Sequence, residues 1–245
     1  MRKQLRYATF KDVGNREINE DSLWVGEKQN GASCFVLCDG LGGHGMGDKA
    51  SKLVTEVFEY QFYQTAQADK FLGPTFDAAQ EILLTAQRAA HAEKKMKSTV
   101  TALISDGKKA YIGHIGDSRV YVFSHNQVRC RTLDHSVPQM LALVGDIQEK
   151  EIRYHSERSI LLRVMGINWE EPQYELMKPI PLRKCQAFLL CSDGFWELIE
   201  EKDMCAMLAS SSSPQEWLSK MIQSVKTRGV GLNMDNFSAI AVWCD

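Results

Sequence analysis

The chain has 245 residues, of which 44% are hydrophobic and 24% charged, with a formal charge of −2. That is the make-up of an ordinary folded domain. Without a basic stripe it is not a dedicated nucleic-acid binder. Without an apolar run near the roughly 20 residues that a membrane helix needs, no insertion into a bilayer is expected.

The amino terminus, Met1 to Phe10, has basic residues but no apolar core behind them, so it does not read as a signal peptide. No C-x-x-C pair occurs among the seven cysteines. Cys34, Cys38, Cys191 and Cys244 lie in or beside apolar runs and read as small buried hydrophobes in a reducing compartment, which predicts a cytoplasmic protein. Repeats, low-complexity segments and Pro/Gly-rich linkers are absent, so residues 1–245 are expected to form one domain.

The first strong signal in chain order is Cys34 to Cys38, a short apolar run that ends on Asp39. Four glycines and His44 follow between Gly40 and Gly45. A buried strand followed by a turn that passes close to something is the simplest reading. Ala50, Leu53, Val54, Val57, Phe58 and Phe62 then recur at helical spacing. A second helix opens at Pro74 and carries Phe76, Ala79, Ile82, Leu83, Ala86 and Ala90. Four β-type runs follow: 99–105, 109–115, 119–123 and 127–133. Turns at Asp106 and His125 make them an antiparallel meander. A brief helix is expected over 137–144, and a polar, irregular, mobile excursion over 146–169. Strands return at 187–191 and 237–242, with two helices between them, the second marked by the Ser213–Glu216 capping pattern. Helix pairs between blocks of antiparallel strands predict an α+β fold, with sheets packed together and helices outside.

Acids sit repeatedly at the ends of apolar runs. Glu20 and Asp21 precede Leu23-Trp24-Val25, Asp39 ends its run, Asp117 follows Ile115, Asp193 follows Cys191, and Asp235 precedes the last strand. Single acids such as Asp12, Asp77 and Asp106 are ordinary turn and cap residues. Five at strand ends can converge on one edge of a packed sheet pair. Clustered carboxylates would take up protons unless a cation compensated them. Oxygen-only ligands favour Mg²⁺, Mn²⁺ or Ca²⁺ over zinc.

The ordered series G-N-R-E-I-N-E-D, D-G-L-G-G-H-G, S-T-V-T-A, I-G-D-S-R, D-H-S, S-D-G-F-W and M-D-N-F runs from Gly14 to Phe237. Each motif is weak alone, but the set in this order resembles the metal-dependent type 2C (PPM family) serine/threonine protein phosphatases, bacterial type. The resemblance implies a four-layer α-β-β-α sandwich of two antiparallel sheets flanked by paired helices. It implies Mn²⁺ or Mg²⁺ as cofactor, with two core ions. Asp39 would bridge them with the Gly40 carbonyl facing the site, Asp193 and Asp235 would complete one ion's ligands, and Glu20 would serve the other with Asp21 close by. Asp117 resembles the ligand of a third, weaker ion. Ser192 and Asn236 would support the neighbouring acids. A metal-bridging hydroxide would attack phosphoserine or phosphothreonine in line. Arg16 would hold the phosphate oxygens, and His44 would protonate the leaving oxygen. The partners implied are phosphoproteins and a cognate Ser/Thr kinase, with the enzyme acting as a monomer.

Departures from the pattern are small: Leu41 for methionine, Val100 in the S-T-V-T-A run, R-V-M-G at 163–166, and a short flap over 146–169. The competing readings fare worse. G-L-G-G-H-G matches a dinucleotide fingerprint, but a second helix follows where a parallel strand should. Lys49 follows Asp48 and not glycine, so Walker A fails, and no D-x-D pair occurs. Ser118 lacks the glycine of a nucleophile elbow. Asp134-His135-Ser136 reads as a turn or strand end, His114 as a satisfied core histidine, and His91, His125 and His155 as surface residues. A pseudophosphatase that binds phosphoproteins without turnover is the alternative from another class. The presence of Arg16, Asp39, Asp193 and Asp235 argues against it.

Overall fold

The computed structural model describes residues 5–41 and 45–244. Twelve strands and six α-helices follow one another as β1 (Leu5–Asp12), β2 (Asp21–Glu27), β3 (Ser33–Leu41), α1 (Gly47–Gln64), α2 (Leu72–Ala90), β4 (Lys97–Ser98), β5 (Val100–Ser105), β6 (Lys109–Ile115), β7 (Arg119–Ser124), β8 (Gln127–Arg131), α3 (Val137–Val144), β9 (Glu175–Leu176), β10 (Ile180–Pro181), β11 (Ala187–Cys191), α4 (Asp193–Trp196), α5 (Glu201–Ala209), α6 (Pro214–Gly229) and β12 (Phe237–Cys244).

Two antiparallel sheets result. One has the order β1-β12-β11-β7-β8; the other runs β10-β6-β5-β3-β2, with β4 on β3 and β9 on β6. Their inner faces interdigitate through Phe35, Leu37, Leu103 and Ile112 from one sheet and Val120, Phe188, Leu190 and Ile240 from the other. Outside the second sheet, α1 and α2 bury Val54, Phe58, Phe62, Phe76 and Leu83. Outside the first, α5 and α6 bury Met204, Leu208, Trp217, Met221 and Val225. Three apolar layers thus separate four layers of secondary structure, as the family resemblance implied. The strands of the central pair are apolar on both faces because each face is covered, which is why β3 and β11 read as unbroken apolar runs.

Several local expectations change. The runs 99–105, 109–115, 119–123 and 127–133 are not one meander: β5 pairs with β6 and β7 with β8, but β6 and β7 lie in different sheets. The chain crosses between them at Gly116, whose φ of +101° is in the left-handed region. A Cβ there would lie 2.5 Å from Thr99 Cγ2. A turn-like I-G-D signal therefore marks a sheet-to-sheet crossing, which local pattern cannot distinguish from a hairpin. The second helix starts at Leu72, before Pro74. β1 carries little apolar alternation and escapes notice in the sequence; it forms because it zips along all of β12, from Leu5↔Cys244 to Asp12↔Phe237. Three helices, not two, lie between β11 and β12, and Ser213 Oγ caps the last by accepting from Glu216 N–H at 3.1 Å.

The segment 146–169 is pinned rather than loose. A 3₁₀ turn over Glu149–Tyr154 buries Ile152 and Arg153. Arg153 donates to the Trp196 and Ile199 carbonyls at 2.8 and 2.7 Å and pairs with Glu201. Arg153, in a run that reads as polar and irregular, is here its anchor.

Phe58 ties α1 to α2, lying edge-on to Phe71 at 6.1 Å and to Phe76 at 5.2 Å between ring centroids. Phe58→Ala should lower unfolding free energy by about 3–5 kcal/mol. Urea denaturation should show it as a lower midpoint with an unchanged slope.

Candidate metal centre

The acids converge where the strands of both sheets end. Asp21 at the head of β2 is the register partner of Asp39 near the end of β3. Asp193 begins α4 directly after β11, and Asp235 precedes β12, the strand beside β11. Asp117 stands in the crossing between β6 and β7. The structure therefore joins Asp39, Asp21, Asp193, Asp117 and Asp235 as expected. Their mutual effect is visible in their acidity. Burial, then the charges of Asp21, Asp193, Asp117 and Asp235, push the Asp39 carboxyl well above the usual range. Burial, then Asp117, Glu197 and Asp235, do the same to Asp193. Asp117 is pushed up to about 7, by burial first and by Asp134 next. Asp21 is pushed up to about 6 by burial, against the hydrogen bond from Ser192 and the charge of Lys11.

Each acid is held by its surroundings. Thr99 brackets Asp39: Thr99 N–H donates to the Asp39 carbonyl at 2.8 Å, and Asp39 N–H donates to Thr99 Oγ1 at 3.1 Å. Thr99 Oγ1 also meets Ser118 Oγ at 2.8 Å, which ties the Asp39 strand to the Asp117 loop. Trp196 Nε1 donates to the Asp117 carbonyl at 3.0 Å. Ser192 Oγ donates to Asp21 Oδ2 at 3.0 Å and accepts from Ser238 N–H. Asn236 joins the last strand to the first loop: its Nδ2 donates to the Val13 and Ile18 carbonyls, and its Oδ1 accepts from Glu20 N–H at 2.7 Å.

Glycine is required where backbones touch. A Cβ on Gly40 would lie 2.2 Å from the Gly47 carbonyl oxygen, and one on Gly47 would lie 2.8 Å from Glu20 Oε1. The Glu20 carboxylate sits at the start of α1, taking hydrogen bonds from the Gly47 and Asp48 backbone N–H groups. A carboxylate is favoured there by the helix dipole.

Arg16 and Asp235, expected to hold different groups, hold each other. Arg16 Nε and Nη2 reach Asp235 Oδ1 and Oδ2 at 3.0 and 2.8 Å. Both side chains are about half exposed, at 47% and 46%. The guanidinium fork fills the role of a counter-charge beside the acid cluster. His44 lies outside the described residues.

Glu197, which the sequence reading passed over, faces the same cluster. It raises the Asp193 and Asp117 carboxyls and pairs with Arg158 at 2.8 Å. Its only sequence sign is its place four residues after Asp193, one helical turn on. Thr99 and Ser118 lie in the S-T-V-T-A and I-G-D-S-R motifs, but their bonds join segments 19 and 60 residues apart and leave no local sequence sign.

The donor set fits a hard divalent cation. The converging groups are carboxylates, several are buried with their carboxyls pushed up, and Asp21 Oδ1 is buried with no hydrogen-bond partner. Oxygen donors of this kind suit Mg²⁺ or Mn²⁺.

A family model, protein phosphatase 2C, matches residues 12–237. The serine/threonine phosphatase stp of Listeria welshimeri is 28% identical over 235 residues, spanning 93% of this chain and 90% of that protein. Among solved structures, serine/threonine phosphatase Stp1 from Staphylococcus aureus superposes with a TM-score of 0.89 at 26% identity, covering 99% of this chain and 96% of that one. The catalytic domain of PstP, in complex with two manganese ions, superposes at 0.82 with 23% identity, covering 99% of each chain.

Two outcomes follow from the charge balance. The unfolded chain releases the Asp39 proton near pH 4, whereas the folded chain keeps it to much higher pH. The stability linked to this group is therefore complete below about pH 4 and is lost as pH rises through the folded value. In EDTA, Asp39→Asn should melt several degrees above the unsubstituted protein near pH 8, with the gap closing toward pH 4; thermal melts across that range would refute this if the variant melted lower at pH 8. Arg16→Ala should free Asp235 and tighten Mn²⁺ binding by about two- to five-fold, the worth of an exposed ion pair. Calorimetric titration with Mn²⁺ checks it, and unchanged or weaker binding would count against it.

Proposed function

The chain belongs to the protein phosphatase 2C family, and on that premise we propose that it is a Mn²⁺/Mg²⁺-dependent phosphatase of phosphoserine and phosphothreonine in proteins. The observation that carries this reading is the convergence of Asp39, Asp193 and Asp117 from the ends of strands in both sheets, each carboxyl pushed up by burial and by its neighbours. Such an arrangement is stable as a set of anions only with cations among them.

Asp39, Asp193 and Asp235, with the Gly40 carbonyl, would hold the core ions; Glu20 would serve the second ion, and Asp117 a third. When bound, such ions lower the pKa of water and draw charge from phosphoryl oxygens. The chain's own residues do the rest. Asn236 and Ser192 fix the acids in register across the sheet edge. Arg16, on the loop that Asn236 staples down, offers two parallel N–H donors to a phosphate once it leaves Asp235. Glu20 holds the Gly40 and Gly47 backbones in contact, since its carbonyl accepts from Gly40 N–H at 3.1 Å and its carboxylate lies over Gly47. His44 has the chemistry to give a proton to the departing serine or threonine oxygen.

We take residues 1–245 as one catalytic domain acting as a monomer, with phosphoproteins as substrates and a Ser/Thr kinase as its opponent. Phosphorylation by ATP places that work in the cytoplasm, and the fully buried thiols of Cys34, Cys38 and Cys191 fit a reducing compartment. Among the described residues no helix is long and apolar enough to cross a membrane.

Purified protein should hydrolyse a phosphothreonine peptide with Mn²⁺ and stop on addition of EDTA. Asp39→Asn and Asp193→Asn should each lower turnover by more than about 100-fold, beyond the loss typical of an outer partner of a metal ligand. Absence of metal-dependent hydrolysis, with phosphopeptide binding retained, would favour the non-catalytic binding module instead.

A further inference from the structure

His114 is buried as a core histidine would be, at 1% exposure, but it is not satisfied. Its Nε2 lies 2.8 Å from the Leu133 carbonyl, which places the ring proton there and leaves a lone pair on Nδ1. That buried Nδ1 has no hydrogen-bond partner. Against it lies His135, 7% exposed, whose ring centroid is 4.7 Å away and whose plane is turned by 19°. His135 Nδ1 accepts from Gly116 N–H at 3.2 Å, and its Nε2 makes no aligned hydrogen bond, although Glu175 Oε1 is 3.3 Å off. Glu175 is the register partner of His114 across β6 and β9. One ligand atom from each of the three residues lies within 4.8 Å of the others.

Two orphaned imidazole nitrogens nine-tenths buried, with a carboxylate beside them, are costly as a plain core feature. We propose that His114, His135 and Glu175 form a second metal site, distinct from the carboxylate centre and suited to a borderline transition ion of the zinc class. Nitrogen ligands with one carboxylate match Zn²⁺, which takes three protein ligands and leaves one position open. Mg²⁺ prefers the all-oxygen set. Burial holds both imidazoles neutral, the form that ligates: His114 is lowered from its ordinary value, and His135 is lowered to about 4 with His114 as the next cause. The Leu133 carbonyl orients His114 as outer partners of metal-bound histidines do. Glu175, 52% exposed and paired also with Arg163 through the same Oε1, provides the open side and keeps Oε2 unengaged by either contact.

Loading requires a defined rearrangement. The His135 proton, on Nε2 while Nδ1 accepts from Gly116, must move to Nδ1 so that Nε2 can donate its lone pair to the ion. The net proton count is unchanged. The Gly116 hydrogen bond is given up, and the nearly parallel rings must turn toward each other. Gly116 precedes Asp117, so its amide reports occupancy from next to the carboxylate centre.

The test uses the whole chain in excess Mg²⁺, which fills oxygen ligands without competing for imidazole. Calorimetry with Zn²⁺ should give one site per chain, Co²⁺ should give the strong visible bands of a tetrahedral site, and the Gly116 amide signal should shift. Glu175→Ala, at a half-exposed position, should weaken Zn²⁺ binding at least about 10-fold and leave Mg²⁺-dependent turnover unchanged without zinc. His114→Ala should remove the site. Absence of zinc uptake in excess Mg²⁺, or equal uptake in Glu175→Ala and the unsubstituted chain, would overturn the proposal. If His114→Ala fails to fold, Glu175→Ala alone decides. Zinc uptake and the cobalt spectrum decide the proposal by themselves, so it can fail or stand apart from the phosphatase reading.

Discussion

Like charges buried together at the open edge of two packed sheets constrain everything else in this molecule. Burial pushes the carboxyls of Asp39, Asp193 and Asp117 up, and the charges of Asp193 and Asp117 add to this at Asp39 and that of Asp117 at Asp193, because each strand delivers its carboxylate to a place with little water. Left alone, such a group would spread apart or hold protons. It stays together because backbone and neighbouring side chains hold each acid, in part through its own oxygens: Ser192 donates to Asp21 and Arg16 to Asp235. Thr99 clasps the backbone of Asp39, Trp196 the carbonyl of Asp117, and Asn236 the segment beside Asp235. Asp21 Oδ1 is buried without a partner, and Asp235 is free for a cation once Arg16 leaves it.

Behind Asp117 stands a block of opposite character. Arg119 is buried, pairs with Asp134 through two bonds of 2.8 and 2.6 Å, and lies 3.4 Å over the Trp196 ring. Tyr121 and Glu201 extend it to Arg153, the anchor of the 146–169 segment. A buried pair with this many donors satisfied is costly to break and fixes the geometry around it. Asp117 and the excursion therefore share one rigid support. Arg153, within the polar 146–169 run, is the side chain that joins them.

The same loops serve two kinds of chemistry. On one side of the Gly116–Asp117 turn the donors are oxygens; on the other, His114 and His135 present nitrogens beside Glu175. That difference in donor type is what would bias a hard ion toward one site and a borderline one toward the other. β9 depends on few backbone bonds, Gly113↔Leu176 and His114↔Glu175, so an ion on Glu175 would add materially to what holds it.

How much was legible follows the range of the interaction. Period and spacing determined the paired helices, the apolar strands and, through the order of short motifs, the family and its acids. Those are local facts: Asp39 at the end of an apolar run is visible in five letters. The zipper of β1 on β12, the crossing of the chain between sheets at Gly116 and the burial of Arg153 depend on partners far along the chain, and no window of sequence contains them. The same holds for the site. That Arg16 grips Asp235, that Glu20 caps α1, that Glu197 joins the acids and that His114 keeps an unpaired nitrogen are contacts across sequence distances of 27 to 219 residues or accidents of shared burial. The sequence by itself determined which chemical groups the chain can bring to a site; only the tertiary structure decided which of them face one another, because that depends on the packing of two sheets whose edges meet nowhere in the linear order.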